Sequence, residues 1–289
     1  MKLGFMTNIL VTHGMSTLQE IAQWGFDNGF QDLEVGPTVL LDEADYARVI
    51  KKGEIQISAL TYCRNFLSTD EDEKRQHISE LERRIHFAST LGIEKIITST
   101  GIDKTLEEGV YDRADSIRKT PIRSLDAVEQ TFSPLLKLAE DKGVKLCFEN
   151  CPLMGNIAIS PVMWSELFSR LSSPNLGLAF DPSHLVWQFV DPYAALEEFA
   201  PHILHVHAKD TEIDHTQLAR CGILTDFSWW KYRIPGGGEL DWKRMVNLLK
   251  QHSYKGTISL EHEDSSYEEN LSAVQEGLIL ARKHVAQFI

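Results

Sequence analysis

Four apolar runs in the second half of the chain each end in a side chain that can hold a cation or move a proton. Lys145–Glu149, Leu176–Asp181, Ile203–His207 and Thr257–Glu261 close on Glu149, Asp181, His207 and Glu261. Alternate residues of a strand face opposite sides. Leu146 and Phe148 therefore share one face, with Cys147 and Glu149 on the other. The same split separates Leu178 and Phe180 from Ala179 and Asp181, Leu204 and Val206 from His205 and His207, and Ile258 and Leu260 from Ser259 and Glu261. Three carboxylates gathered on one dry face repel one another and lose their hydration. A divalent cation removes both costs. Three carboxylates with an imidazole and no thiolate suit Mn2+ best, and also Mg2+, Co2+ or Zn2+; a structural zinc site would draw on cysteines.

Bringing four strand ends together is a demand on the fold. Strand-like runs also occur near Leu3–Thr7, Asp32–Val35, Gln56–Thr61 and Lys95–Thr98. Helical spacing links Ile78, Leu81, Ile85 and Ala88, and again Val128, Phe132, Leu135, Leu136 and Ala139. Ser124 and Ser160 stand where helix N-caps belong, and the acidic run Asp70–Glu73 reads as a helix start. Gly29, Gly92, Gly143 and Gly256 each precede a strand, where a left-handed helix cap is expected. Alternating strands and helices predict an α/β protein with parallel strands, and a closed (β/α)8 TIM barrel is the economical arrangement. An open doubly wound sheet would need a glycine-rich phosphate turn after the first strand, and none is present. At 289 residues the chain fits one such barrel as a single domain over residues 1–289. Strand C-termini carry barrel chemistry. The long connections Gly101–Arg123 and Asp210–Asp241, after strands 4 and 7, are expected over that face as lids or binding loops.

Composition narrows the partners. A formal charge of −13 opposes a nucleic-acid partner, whose phosphates need a basic footprint. No apolar run approaches the roughly 20 residues that span a bilayer, and the opening MKLGFMTNIL reads as a strand and a loop rather than a secretion signal. Cys63, Cys147, Cys151 and Cys221 are scattered, which suits a reducing compartment and so the cytoplasm.

With these residues in view, the chain resembles the xylose-isomerase-like barrel superfamily of sugar isomerases and epimerases, which includes keto-sugar 3-epimerases, inosose dehydratase and apurinic endonuclease barrels. The segments FENCP (148–152), AFDPSHL (179–185), HVHAKD (205–210), RIPGGGELDW (233–242) and SLEHED (259–264) carry the likeness in order. The resemblance implies that Glu149, Asp181, His207 and Glu261 are the ligands of one divalent ion. It implies that His184 contacts substrate, that Glu34 fills an acidic substrate-side position, and that the protein works as a homodimer or homotetramer. Two departures discriminate within the superfamily. The endonuclease branch adds histidines after strands 3 and 4, where this chain has Leu60-Thr61-Tyr62 and Ile97-Thr98-Ser99. Keto-sugar 3-epimerases place a Glu and an Arg where this chain has Gly155 and Ile213.

The chemistry so implied is isomerisation or epimerisation of a small keto-sugar or polyol. A metal-held carbonyl would acidify the adjacent proton, an enediolate would follow, and Glu149 and Glu261 would serve as the acid–base pair. Loss of a β-hydroxyl would instead make a lyase, inosose dehydratase-like or cleaving 3-keto-glycosides; a non-catalytic sugar-binding barrel is the reading from another class. Trp229, Trp230, Tyr232 and Arg233 precede three glycines and either stack on a sugar, with Arg233 on a hydroxyl or phosphate, or simply bury their own loop. His205 reads as a hydrogen-bonded core histidine. Lys209 and Asp210 either orient His207 or form a solvated ion pair.

Overall fold

The computed structural model describes residues 1–103 and 122–289. Its strands are β1 (Lys2–Met6), β2 (Asp32–Val35), β3 (Gln56–Tyr62), β4 (Lys95–Thr98), β5 (Lys145–Glu149), β6 (Leu176–Phe180), β7 (Ile203–Ala208), β8 (Asp210–Ile213), β9 (Trp230–Arg233) and β10 (Thr257–Leu260). Eight of them form a closed barrel in the order β1-β10-β7-β6-β5-β4-β3-β2, while β8 and β9 pair separately. The chain makes two compact units, Met1–Ile57 with Phe180–Ile289, and Ser58–Ala179.

In the first unit β1 is the hub. It pairs in parallel with β10, setting Gly4 against Ser259, and with β2, setting Met6 against Glu34; β10 pairs onward to β7 with Ser259 against His207. Outside these strands the helix Trp242–Gln251 buries Trp242, Met245, Val246, Leu248 and Leu249. Each such side chain contributes about 1.5–3 kcal/mol when fully buried. Asp241 caps this helix by accepting from Arg244 N, a bond worth about 0.5–2 kcal/mol.

The second unit follows its apolar stripes. Val128, Phe132, Leu135, Leu136 and Ala139 are all buried in the helix Leu125–Lys142. Phe132 meets Phe148 of β5 edge-on at 5.0 Å and Phe66 at 5.3 Å, which fixes Phe148 on the helix side of its strand. In the helix Glu71–Leu91, Leu81, Ile85 and Ala88 are buried but Ile78 is only partly so. Asp70 caps that helix, accepting from Asp72 N and Glu73 N.

Local differences from the sequence reading have physical causes. Gly29, Gly92 and Gly143 do adopt positive φ, at 76°, 70° and 67°. Gly256 does not; the chain turns earlier, at Ser253, whose φ is 57°. Gly256 is required for space instead, because a Cβ there would lie 2.5 Å from the Tyr254 hydroxyl. Ser124 and Ser160 occupy N-cap positions, but neither side chain makes a capping bond; Ser124 Oγ accepts from Asp103 N instead. Strands β6 and β10 stop one residue short of Asp181 and Glu261. The connection Gly101–Arg123 falls mostly outside the described residues. The other long connection is ordered: β8 and β9 form an antiparallel hairpin, Asp210 opposite Arg233 and Ile213 opposite Trp230, around the helix His215–Thr225.

Candidate metal and substrate site

The inward face of the first unit is fixed by one contact. Glu34 sits on β2 and His205 and His207 on β7, with β1 and β10 between those strands. Their side chains nevertheless touch, which requires all three to point into the interior. His205 Nε2 lies 2.9 Å from Glu34 Oε2, and His207 Nε2 lies 3.1 Å from each Glu34 oxygen. None of the three is exposed. Burial alone would raise the Glu34 pKa, but the two imidazoles hold it well below the usual glutamate range. His205 is thus a hydrogen-bonded core histidine, as its sequence position suggests.

His207 turns its other nitrogen toward the strand ends, with Nδ1 3.3 Å from Glu261 Oε2. Asp181 lies just past β6 and divides its oxygens between two tasks. Oδ1 accepts from Ser183 N at 2.8 Å and from Ser183 Oγ at 2.6 Å, shaping the turn, while Oδ2 is 3.2 Å from His184 Nε2. Asp181, His207 and Glu261 each offer a ligand atom, all within 4.8 Å of one another.

Lys209 continues the inward alternation begun by His205 and His207, and it is almost completely buried. Its ammonium lies 2.9 Å from Glu261, 2.9 Å from Glu263 and 3.2 Å from Asp181, and 4.5 Å from the centre of the Tyr232 ring. Burial would lower its pKa, yet those carboxylates hold it well above the usual lysine range. Asp181 is lowered in turn, burial being outweighed by Lys209, His184 and His207. Of the two readings of Lys209, the solvated ion pair is excluded. The missed signal was the period of two itself, which places Lys209 on the same face as the two histidines.

The hairpin supplies the wall of this site. Trp230 and Tyr232, two apart on β9, share a face: Trp230 stacks on Trp187 with centroids 4.7 Å apart, and the Tyr232 hydroxyl is 3.0 Å from His184 Nδ1. Trp187, Ile213 and Trp229 bury the hairpin's own core, so part of the aromatic run serves the loop. Tyr232 and Glu261 also line a cavity of about 440 Å3 with Asn8, Thr12, Glu263 and Glu268. The glycine run cradles a carboxylate: Asp210 accepts from Thr211 N, Gly236 N, Leu240 N and Trp242 Nε1. A Cβ on Gly238 would lie 2.4 Å from Asp210 Oδ1. Arg233, expected against substrate, gives its guanidinium to Glu212, Asp264 and Ser266 at 2.6, 2.9 and 2.7 Å. Glu34, likewise expected at the substrate, lies against the two imidazoles.

In the second unit Glu149 ends β5 and is buried. The Cys63 thiol donates to its Oε2 at 3.3 Å, and Asn156 Nδ2 donates to its backbone oxygen at 2.6 Å. Neither contact was legible in the sequence: Cys63 follows β3, which is not adjacent to β5, and Asn156 folds back from the loop after β5 itself.

Comparison with known proteins agrees with this architecture. Inosose dehydratase of Clostridium tetani (strain Massachusetts / E88) is 24% identical over 90% of this chain and 86% of its own. Among solved structures, the IolI protein with a binding zinc atom superposes with a TM-score of 0.75 at 20% identity, covering 100% of this chain and 99% of that one. A D-tagatose 3-epimerase-like protein gives 0.72 at 21% identity, covering 100% and 98%. The family description "xylose isomerase-like TIM barrel" matches residues 18–284, and the chain belongs to that family.

Proposed function

We propose that this protein is a divalent-metal-dependent isomerase or epimerase of a small keto-sugar or polyol, with Glu149, Asp181, His207 and Glu261 holding one ion. The observation that carries the reading is the approach of His207 Nδ1 to Glu261 Oε2 at 3.3 Å. An ionised Glu34 can only accept, so a neutral His207 carries its proton at Nε2 and leaves Nδ1 as an acceptor. Two acceptors so close, with Asp181 beside them, suit a divalent cation, which would share these carboxylates with the Lys209 ammonium. The donor set of carboxylates and imidazole suits Mn2+ first, with Mg2+, Co2+ and Zn2+ as alternatives. Glu149 enters through its place at the C-terminal end of β5, the end at which barrel chemistry is built.

When bound, the ion would act as a Lewis acid toward a substrate carbonyl. The chain's own residues do the rest. Glu261 and Glu149 take and return the proton on the carbon beside that carbonyl. His184, whose two ring nitrogens face Asp181 and Tyr232, is positioned by them for substrate contact, and Trp230 offers an apolar face to the carbon skeleton. The described helices include none long and apolar enough to cross a membrane, and none of the four cysteines is in a disulfide. We place the enzyme in the cytoplasm as a single-domain barrel working as a homodimer or homotetramer, following its family.

The test is elemental analysis for bound metal, then NMR in deuterated water over ketoses, inososes and 3-keto glycosides. Exchange at the α-carbon is the expected result, and its absence from every metal-loaded sample rejects the reading. Glu149→Gln and Glu261→Gln should each lower exchange by about 10²–10⁴-fold while the fold persists. A second reading, a lyase, is favoured by the inosose dehydratase relative. It is distinguished by loss of water, or cleavage, in the product.

A further inference from the structure

Glu34 is fully buried, and its two oxygens face two imidazoles at once. The rings stand nearly perpendicular, 87° apart with centroids at 5.5 Å, so one carboxylate meets the Nε2 edges of both. An ionised carboxylate accepts and never donates. Both Nε2 atoms must then carry protons. For a neutral imidazole this settles the tautomer, because the second nitrogen is left with a lone pair.

We propose that Glu34 is a positioning residue that locks His205 and His207 as Nε2–H tautomers and so presents the lone pair of His207 Nδ1 toward Glu261 for the divalent ion. The inference rests on the metal reading above. His205 is part of the device: it occupies the second acceptor position of Glu34 and keeps the carboxylate from rotating away from His207. A glutamine in place of Glu34 would offer one acceptor and one donor. At the Oε1 position its amide would set a donor 3.1 Å from His207 Nε2, and that contact is relieved when His207 carries its proton at Nδ1, between the ring and Glu261, where the ion belongs.

The experiment uses Zn2+, which is diamagnetic, and the full chain at pH 8. Long-range 1H–15N NMR of the metal-free protein reports each histidine tautomer directly, and calorimetry reports Zn2+ affinity. The wild type should show His205 and His207 protonated at Nε2. Glu34→Gln should convert one of them to Nδ1–H and weaken Zn2+ binding about 10–100-fold, and Glu34→Asp, which still only accepts, should retain the wild-type tautomers. Wild-type His207 protonated at Nδ1 overturns the inference, as does a glutamine variant that binds Zn2+ undiminished or loses affinity with both tautomers unchanged. If the glutamine variant does not fold, the wild-type spectrum alone decides. Failure of the wild type to bind Zn2+, Mn2+ or Mg2+ would bring down the metal reading and this inference together. Binding with the wrong tautomer would bring down this inference alone.

Discussion

Lys209 shows how the cost of assembling carboxylates is met by the chain itself. Its single ammonium lies at hydrogen-bond distance from Asp181, Glu261 and Glu263 while almost wholly buried, and offsets one of their three charges. Removing one partner from such a group leaves uncompensated buried charge, at about 3–5 kcal/mol. Lys209→Met should therefore destabilise the metal-free protein by that order, and a saturating divalent cation should recover more of its melting temperature than it adds to the wild type. Equal shifts in thermal unfolding would count against this arrangement. Tyr232→Phe is a milder change: it deletes the hydroxyl on His184 and leaves the ring packed against Trp230 and Lys209. A rise in KM of about 10-fold with unchanged metal content is expected, since one neutral hydrogen bond is worth about 1 kcal/mol or a little more. The alternation of large and small residues on β7 made the inward pair His205 and His207 legible in the sequence. Partners such as Glu34 for His207 or Tyr232 for His184 were not, because the pairing depends on which strands become neighbours.

At the scale of elements, the loop after β10 and the hairpin are joined by Asp264. It accepts from Arg233 Nη1, Ile234 N and Ser266 N, and these donors keep its carboxyl below the usual aspartate range although burial alone would raise it. A depressed folded-state pKa adds stability that is full above the unfolded value and is lost as pH falls through the folded one. Asp264→Asn should thus cost about 1.5–3 kcal/mol at neutral pH and progressively less under acid, flattening the acid limb of the stability curve. Chemical denaturation at pH 7 and pH 3 measures it; a constant difference between the two proteins would refute it. Strand positions were readable because β4 and β5 carry short apolar stretches bounded by turn residues. The hairpin was not, since β8 and β9 are partly polar and gain their stability from Trp187 and Trp229, contacts between distant positions.

For the whole molecule, the metal reading has a thermodynamic signature that needs no substrate. An ion that binds only the folded chain stabilises it by RT ln(1 + [L]/Kd), about 2.7 kcal/mol at one hundred times Kd. Chelation should lower the melting temperature and re-addition of Mn2+ restore it, with a midpoint that tracks metal concentration; a transition insensitive to both would leave the carboxylates without their ion. The closed strand order was inferable from eight alternating units and the lack of a phosphate turn. Strand β8 begins at Asp210, with only Lys209 between it and the end of β7, and the Asp210 carboxylate is ringed by four donors from the hairpin and its return. Trp230 and Tyr232 are consequently carried on a rigid bracket continuous with the strand that bears His207. Substrate range in this lineage should then drift by exchange of those two aromatic side chains, whereas insertions into the hairpin would disturb ligand geometry and be selected against.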